Sequence, residues 1–351
     1  MRECPSRPVD ASHIIPKIRV VGWSMLACLS IAMVVIISLA LGPRFIPVAT
    51  LIDIFRSGDS SSTASFIVLD SRLPRTLLGL ICGVALGVAG ALMQAVTRNP
   101  LADPGILGVN AGAAFSMTLA AGVFGVRTID GYIWAAFAGG VVVSLLVFLL
   151  AGGNRPGSSA AASPIRLVLA GVAVSAVLAG IGSSMTLINP QAFDLMRVWA
   201  VGSLAGRDMH VVATIAPFIA AGLAIALLVA PSLNAISLGE DLARSVGANT
   251  AFTYSLSFVA VTLLAGATTA AIGPIGFVGL MVPHAVRWLV GPDQRKIILL
   301  TLIAGPVLLL AADVLGRLIL QPSELEAGIV TAFVGAPVLI LLARRKQARG
   351  L

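Results

Sequence analysis

Residues 72–97 read RLPRTLLGLICGVALGVAGALMQAVT, and no charged residue stands between Arg75 and Arg98. About 20 mostly apolar residues are enough for a helix to cross a bilayer. Small residues recur along this run at helical spacing, at Gly79, Gly83, Gly87 and Gly90. Faces of small residues let helix backbones approach closely in lipid. The stretch therefore predicts a transmembrane helix with one tightly packed face.

The whole chain shares this apolar character. It has 351 residues, of which 58% are hydrophobic and 11% charged, and its mean hydropathy is +1.01. Soluble domains are about 45–50% apolar and about 25% charged. The composition therefore predicts an all-α polytopic membrane protein. The net charge of +8 does not indicate nucleic-acid binding, because the basic residues are dispersed and only 5% of residues are aromatic.

Apolar runs of suitable length predict about ten transmembrane helices within a single permease domain, residues 20–343. The predicted spans are 20–41, 74–96, 105–124, 132–151, 166–187, 211–230, 249–271, 276–290, 297–316 and 327–343. Tails at 1–19 and 344–351 flank the domain. The first run is longer than the roughly 7–15 apolar residues of a signal peptide, so we interpret it as a retained helix.

The distribution of basic residues predicts the orientation. With ten spans, 15 of the 23 arginines and lysines fall on the side of both termini, and 8 fall on the opposite side. Because lysine and arginine are enriched in cytoplasmic loops, both termini and the loop 231–248 are predicted to be cytoplasmic. The opposite, outer side keeps an unusual number of arginines.

Several kinds of chemistry have no sequence support. The chain lacks the G-x-x-x-x-G-K-[ST] motif of P-loop ATPases, and its histidines and cysteines lack the spacing of a metal site. We therefore predict no catalytic residues, no metal ligands and no cofactor in this chain. A carrier driven by an ion gradient needs ionisable residues inside the membrane. Asp313 is a candidate, but Arg317 follows at i+4, the spacing of a local ion pair.

Three stretches resemble the FecCD/BtuC-type permeases of ABC importers. They are RLPRTLLGLICGVALGVAGALMQAVTRNPLADPGILGVNAGAA (72–114), SLGEDLARSVGAN (237–249) and GPIGFVGLMVPHAVRWLVG (273–291). The resemblance implies a BtuC-like type II importer permease in the bacterial plasma (inner) membrane. It also implies a homodimer that works with two cytoplasmic ATPase subunits, which bind ATP and Mg, and with an extracytoplasmic substrate-binding protein. The implied cargo is an iron chelate: a ferric siderophore foremost, then haem or cobalamin.

Two other functions remain open on the sequence alone. The first is a secondary transporter driven by an ion gradient, and the second is a membrane scaffold that transports nothing. The scarcity of carboxylates within the predicted spans counts against the first.

Three outer arginines match the positions with which the family docks its binding protein: Arg72, Arg75 and Arg317. A guanidinium group suits this role because it offers a planar, permanently charged fork to a carboxylate. The alternative interpretation is that these arginines anchor the chain at the lipid interface or, for Arg317, pair with Asp313.

Residues 237–249, which we call the coupling segment, resemble the part of the family that contacts the ATPase. The residues predicted to act there are Leu238, Gly239, Glu240, Asp241, Ala243, Arg244 and Gly247. Leu238, Leu242, Ala243 and Val246 follow helical spacing, and so predict a short helix with one apolar face. The alternative is that this helix packs only on its own bundle.

Six residues near the predicted spans are candidates for the translocation pathway: Gln94, Asn110, Ser163, Arg166, Met196 and Trp199. Four of them have an alternative interpretation. Gln94 and Asn110 are also suited to hydrogen bonds between helices. Met196 and Trp199 lie in a short apolar stretch, 192–206, and are also suited to anchoring at the interface.

Overall fold

The computed structural model describes residues 17–57, 62–152, 164–321 and 323–347, and within these ranges the regular structure is helical. The α-helices are α1 (Lys17–Ala40), α2 (Val48–Ser57), α3 (Thr63–Phe66), α4 (Leu73–Thr97), α5 (Val109–Gly122), α6 (Ile129–Leu150), α7 (Pro164–Ile188), α8 (Pro190–Trp199), α9 (Met209–Ser237), α10 (Glu240–Ser245), α11 (Thr250–Ile272), α12 (Val278–Val290), α13 (Gln294–Ile319) and α14 (Ala327–Gln347). A π-helical segment, Ile67–Arg72, joins α3 to α4, and a 3-10 turn, Pro104–Leu107, precedes α5.

Every predicted span overlaps one of these helices, which confirms the all-α membrane fold. In the described part of the chain, six helical segments are long and apolar enough to cross a membrane by length and composition. They are Thr63–Thr97, Ile129–Leu150, Ile165–Ile188, Met209–Ser237, Thr250–Ile272 and Gln294–Ile319. Other predicted spans correspond to shorter apolar helices, such as Val278–Val290. The number of ten membrane crossings therefore stays a prediction.

Two helices extend furthest beyond their predicted bounds. The helical run that contains α4 begins at Thr63 rather than at residue 74, so Arg72 lies within it together with Arg75. Helix α9 continues past residue 230 to Ser237 although Pro231 lies inside it. A proline removes one backbone hydrogen bond, and membrane helices tolerate this where neighbouring groups satisfy the freed carbonyl.

Helix α4 lies at the centre of the bundle and packs against α11, α12 and α13. Its glycines make the predicted close contacts. A Cβ atom added at Gly83 would collide with the backbone of Gly305 and Pro306 in α13. A Cβ atom at Gly90 would collide with the carbonyl oxygen of Gly279 in α12. The small residues of this face therefore set the distance between the helices.

Replacing Gly90 by alanine tests this packing. The neighbouring atoms are backbone and cannot rotate away, so we expect the cost of overpacking, about 1–3 kcal/mol. The expected result is a lower thermal unfolding midpoint in detergent. Gly180→Ala in α7 is the matched control, because no atom lies within 4 Å of the added Cβ. Equal midpoints for the two variants would contradict the close packing of α4 on α12.

Candidate functional site

Charged side chains at the predicted outer end form one group, which we call the outer cluster: Arg72, Arg75, Asp313, Arg317 and Glu324. Arg75 donates to Asp313 Oδ1 from Nε at 3.0 Å and from Nη2 at 2.8 Å. Arg317 Nη2 lies 2.9 Å from the other carboxylate oxygen, Oδ2. The Asp313 side chain is 0% exposed, so two guanidinium groups enclose a fully buried carboxylate.

The same arginines satisfy the end of helix α1. The last four carbonyl groups of a helix have no partner within the helix. Arg317 Nη1 donates to Ser38 O at 2.9 Å, and Arg72 Nη1 donates to Leu39 O at 2.6 Å and to Ala40 O at 2.8 Å. Cations are favoured at a helix C-terminus because the helix dipole is negative there. The outer cluster therefore ties α1 to α4 and α13.

The three predicted docking arginines are buried in the isolated chain. Their exposed fractions are 5% for Arg72, 8% for Arg75 and 2% for Arg317. Their side chains are turned into the bundle, where Arg75 and Arg317 pair with Asp313, and Arg72 and Arg317 donate to carbonyl groups at the end of α1. The Asp313–Arg317 pair expected from the sequence is confirmed, whereas the docking role stays a prediction. Glu324, which accepts from Arg75 Nη1 at 2.6 Å, is more exposed than these arginines, at 27%.

The coupling segment forms the short helix α10 between two glycines. Gly239 has φ 124° and Gly247 has φ 85°, conformations that residues with a Cβ atom rarely adopt. Ala243 is fully buried and packs with Ile236 and Tyr254. The other apolar residues of the predicted face are exposed: Leu238 by 72%, Leu242 by 52% and Val246 by 69%. The four residues therefore do not form one buried face. Ala243 packs α10 against the bundle, and the larger side chains point away from the bundle.

Glu240 connects α10 to two other helices. Its Oε1 atom accepts from Arg98 Nη2 at 3.3 Å and from the Tyr254 hydroxyl at 3.0 Å. Arg244 Nη2 lies 3.7 Å from the second oxygen, Oε2. Asp241 is exposed. Neither Arg98 nor Tyr254 was predicted as a site residue. The one sequence signal for Arg98 was its position at the start of RNPLADP (98–104), within the first stretch that resembles the family.

Two further loops on this side are fixed by acidic side chains. Asp103 Oδ1 accepts from Gly105 N at 2.8 Å and so caps the 3-10 turn Pro104–Leu107. Burial raises the pKa of Asp103, while the bond from Gly105 opposes that shift. Asp293 accepts from Asn234 Nδ2 at 2.8 Å, and this hydrogen bond lowers the pKa of Asp293.

The structure places two of the six pathway candidates, Gln94 and Asn110, in hydrogen bonds between elements. Gln94 Nε2 donates to Leu280 O at 3.2 Å, and Asn110 Oδ1 accepts from Thr269 Oγ1 at 2.9 Å. Trp199 is buried, and the Oε1 atom of Gln94 has no hydrogen-bond partner. The remaining candidates are Met196, which is half-buried, Arg166, which is exposed, and Ser163, which lies outside the described residues. A pathway role for any of these residues stays a prediction.

The chain is similar to known proteins over most of its length. The FecCD transport family matches residues 29–345. The ferric enterobactin transport system permease protein FepD of Escherichia coli (strain K12) is 49% identical over 315 residues, 90% of this chain and 92% of that protein. The Fe(3+)-citrate import system permease protein YfmD of Bacillus subtilis (strain 168) is 39% identical over 81% of this chain and 83% of that protein.

A solved structure supports the same relationship. It is described as an inward-facing conformation of a provisionally assigned metal-chelate type ABC transporter. It matches with a TM-score of 0.76 and 28% sequence identity, over 91% of this chain and 97% of that one.

Replacing Asp313 by asparagine tests the outer cluster. Removing one partner of a buried ion pair costs about 3–5 kcal/mol, because the other charge is left uncompensated. We therefore expect Asp313→Asn to lose most of the folded, monodisperse protein in detergent. Asp194→Asn is the control, since Asp194 and Arg197 are both largely exposed and 3.9 Å apart. A normal yield and unfolding midpoint for Asp313→Asn would contradict a structural role of the cluster.

Proposed function

The chain belongs to the FecCD transport family, and we propose that it is the membrane-spanning permease of an ATP-driven importer of an iron chelate. The single observation that carries the proposal is the 49% identity, over 90% of the chain, to a ferric enterobactin permease. A ferric siderophore is the leading cargo, and haem and cobalamin are the alternatives. The permease would lie in the bacterial inner membrane with both termini in the cytoplasm.

We propose that the permease works as a homodimer with two ATPase subunits and an outer binding protein. The need for a separate ATPase is supported by the absence of a P-loop motif from the sequence. The exposed side chains of Leu238, Leu242 and Val246 provide an apolar surface for that partner on the predicted cytoplasmic side. Exposed apolar surface outside the lipid is typical of a protein interface.

In the proposed mechanism, closure of the ATPase dimer moves α10. Ala243 and Glu240 are the contacts through which this motion reaches the bundle, because Ala243 packs on Ile236 and Glu240 is bonded to Arg98 and Tyr254. Helices α4, α9 and α11 then change their tilt and open the pathway to the other side of the membrane. This chain performs no covalent step.

The proposed docking of the binding protein needs a rearrangement at the outer cluster. In the isolated chain Arg75 is bonded to Asp313 and Glu324. A carboxylate of the partner would reach Arg75 by replacing Glu324, which is the more exposed of its two acceptors. Asp313 would keep its bidentate bond and hold the guanidinium group in place.

A gradient-driven carrier is the second candidate function, and the geometry disfavours it. Asp313 is the candidate carboxylate for coupling to an ion, and it lies between Arg75 and Arg317. Both of its carboxylate oxygens are already in contact with guanidinium groups and its side chain is 0% exposed, so it is poorly placed to bind an ion that arrives from water.

Reconstitution into proteoliposomes tests the proposed function. We expect uptake of a ferric siderophore that requires ATP inside the vesicle, the ATPase subunits and the binding protein. Vesicles that lack any one of these parts are the controls. Uptake driven by a pH or sodium gradient in the absence of ATP would overturn the proposal.

Replacing Glu324 by glutamine tests the docking role of Arg75. The variant removes the competing carboxylate and leaves Asp313 in place, so we expect the binding protein to dock more tightly. The gain should be largest at low ionic strength, because salt screens exposed charges beyond about 10 Å at 0.1 M. Asp53→Asn, at an exposed position of α2, removes the same charge as a control. Unchanged affinity for Glu324→Gln at low salt would count against docking at Arg75.

A further inference from the structure

Arg98 stands at a backbone position that favours glycine. It is the C-cap of α4, with φ 51° and ψ 29° in the left-handed region. Helices commonly end on a left-handed residue, and that residue is usually glycine because a Cβ atom is unfavourable there. Glycine would adopt this backbone conformation at a lower free-energy cost than arginine, yet the chain has arginine here.

The Arg98 side chain contacts the coupling segment and the helix that leads into it. Its Nη2 atom lies 3.3 Å from Ile236 O, near the end of α9, and 3.3 Å from Glu240 Oε1 in α10. The Tyr254 hydroxyl, from α11, donates to the same Glu240 oxygen at 3.0 Å. We call Arg98, Glu240 and Tyr254 the Glu240 clamp.

The clamp acts together with the apolar seat of α10. Ala243 packs on Ile236 and Tyr254, and Val96, two residues before Arg98, packs against the same cluster. Helix α10 is therefore held in two ways: Ala243 makes apolar contacts with the bundle, and Glu240, the first residue of the helix, accepts hydrogen bonds. A helix this short has little stability of its own, so its orientation depends on these contacts.

We propose that Arg98 and Tyr254 are positioning residues that fix α10 relative to α4 and α11, so that motion of α10 reaches both helices. The inference rests on the proposed function, since it gives the coupling segment its attachment to the transmembrane helices. The clamp contributes little to stability, because the Arg98 side chain is 48% exposed and the Glu240 side chain 33%, and water screens such pairs. Losing it changes the position of α10 and leaves the fold intact.

Arg98→Gly separates this role from that of a helix cap. Glycine relieves the left-handed backbone and removes the guanidinium group. If Arg98 only ended α4, the variant would be at least as stable and as active as the original protein. We expect an equal or higher unfolding midpoint, normal retention of the ATPase subunits, and ATP-dependent uptake reduced about fivefold or more, the lower end of typical coupling effects.

Two further variants complete the test of uptake. Tyr254→Phe removes only the hydroxyl group, and we expect a loss of uptake in the same direction. Arg295→Ala is the matched control, because Arg295 is an exposed arginine on the same predicted side of the membrane and lies in α13. The control should retain normal uptake.

A spin label reports the position of α10 without ATP or cargo. The label is placed at Ser245→Cys, an exposed position at the end of α10, in a chain whose three cysteines, Cys4, Cys28 and Cys82, are replaced by alanine. The sample is the full complex in lipid. We expect the label to become more mobile when Arg98→Gly or Tyr254→Phe is added, and to remain unchanged with Arg295→Ala.

The two readouts distinguish failure of this inference from failure of the proposed function. An original complex without ATP-dependent uptake would overturn the proposed function, while increased label mobility in the variants would still support the clamp. Normal uptake in both Arg98→Gly and Tyr254→Phe would overturn the inference. A loss of uptake with unchanged label mobility would also overturn it, because the residues would then act by some means other than holding α10.

Discussion

The carboxylate of Asp313 joins the helices at the predicted outer end of the bundle. A charge inside a membrane protein must find its partners within the protein, because lipid offers none. Asp313 binds Arg75 and Arg317, and Arg317 also donates from Nη1 to Ser38 O at the end of α1. Buried ion pairs are not generally more stable than apolar packing, but removing one member is costly. Asp313, Arg75 and Arg317 are therefore each needed once the other two are present.

Helix α4 connects this cluster to the opposite end of the bundle. Arg75 lies near its start and Arg98 caps its end, and no charged residue stands between them. Along this length α4 packs closely on α12 and α13 through positions such as Gly83 and Gly90. Close packing transmits displacement well, because interiors at this density deform little. A shift of the inner end of α4 therefore reaches the helices around it.

The two ends satisfy their charges in different ways. At the outer end Asp313 is fully buried and enclosed, so the contact suits a fixed anchor. At the inner end Arg98 and Glu240 are partly exposed, so water can replace their contacts at little cost. An adjustable contact of this kind suits a segment that must move when a partner moves. The chain belongs to the FecCD transport family, so we interpret both arrangements as parts of a transport protein.

The sequence by itself determined the class of protein, the approximate helices and the family. Those features depend on local properties: run length, small-residue spacing, caps such as Asp103, and i,i+4 pairs such as Asp313–Arg317. Only the tertiary structure decided which groups meet. Arg75 and Asp313 are 238 residues apart, and Arg98 and Glu240 are 142 apart. Helical spacing grouped Ala243 with Leu238, Leu242 and Val246, but it could not show which of them face the bundle, because that depends on where Ile236 and Tyr254 are brought by the rest of the fold.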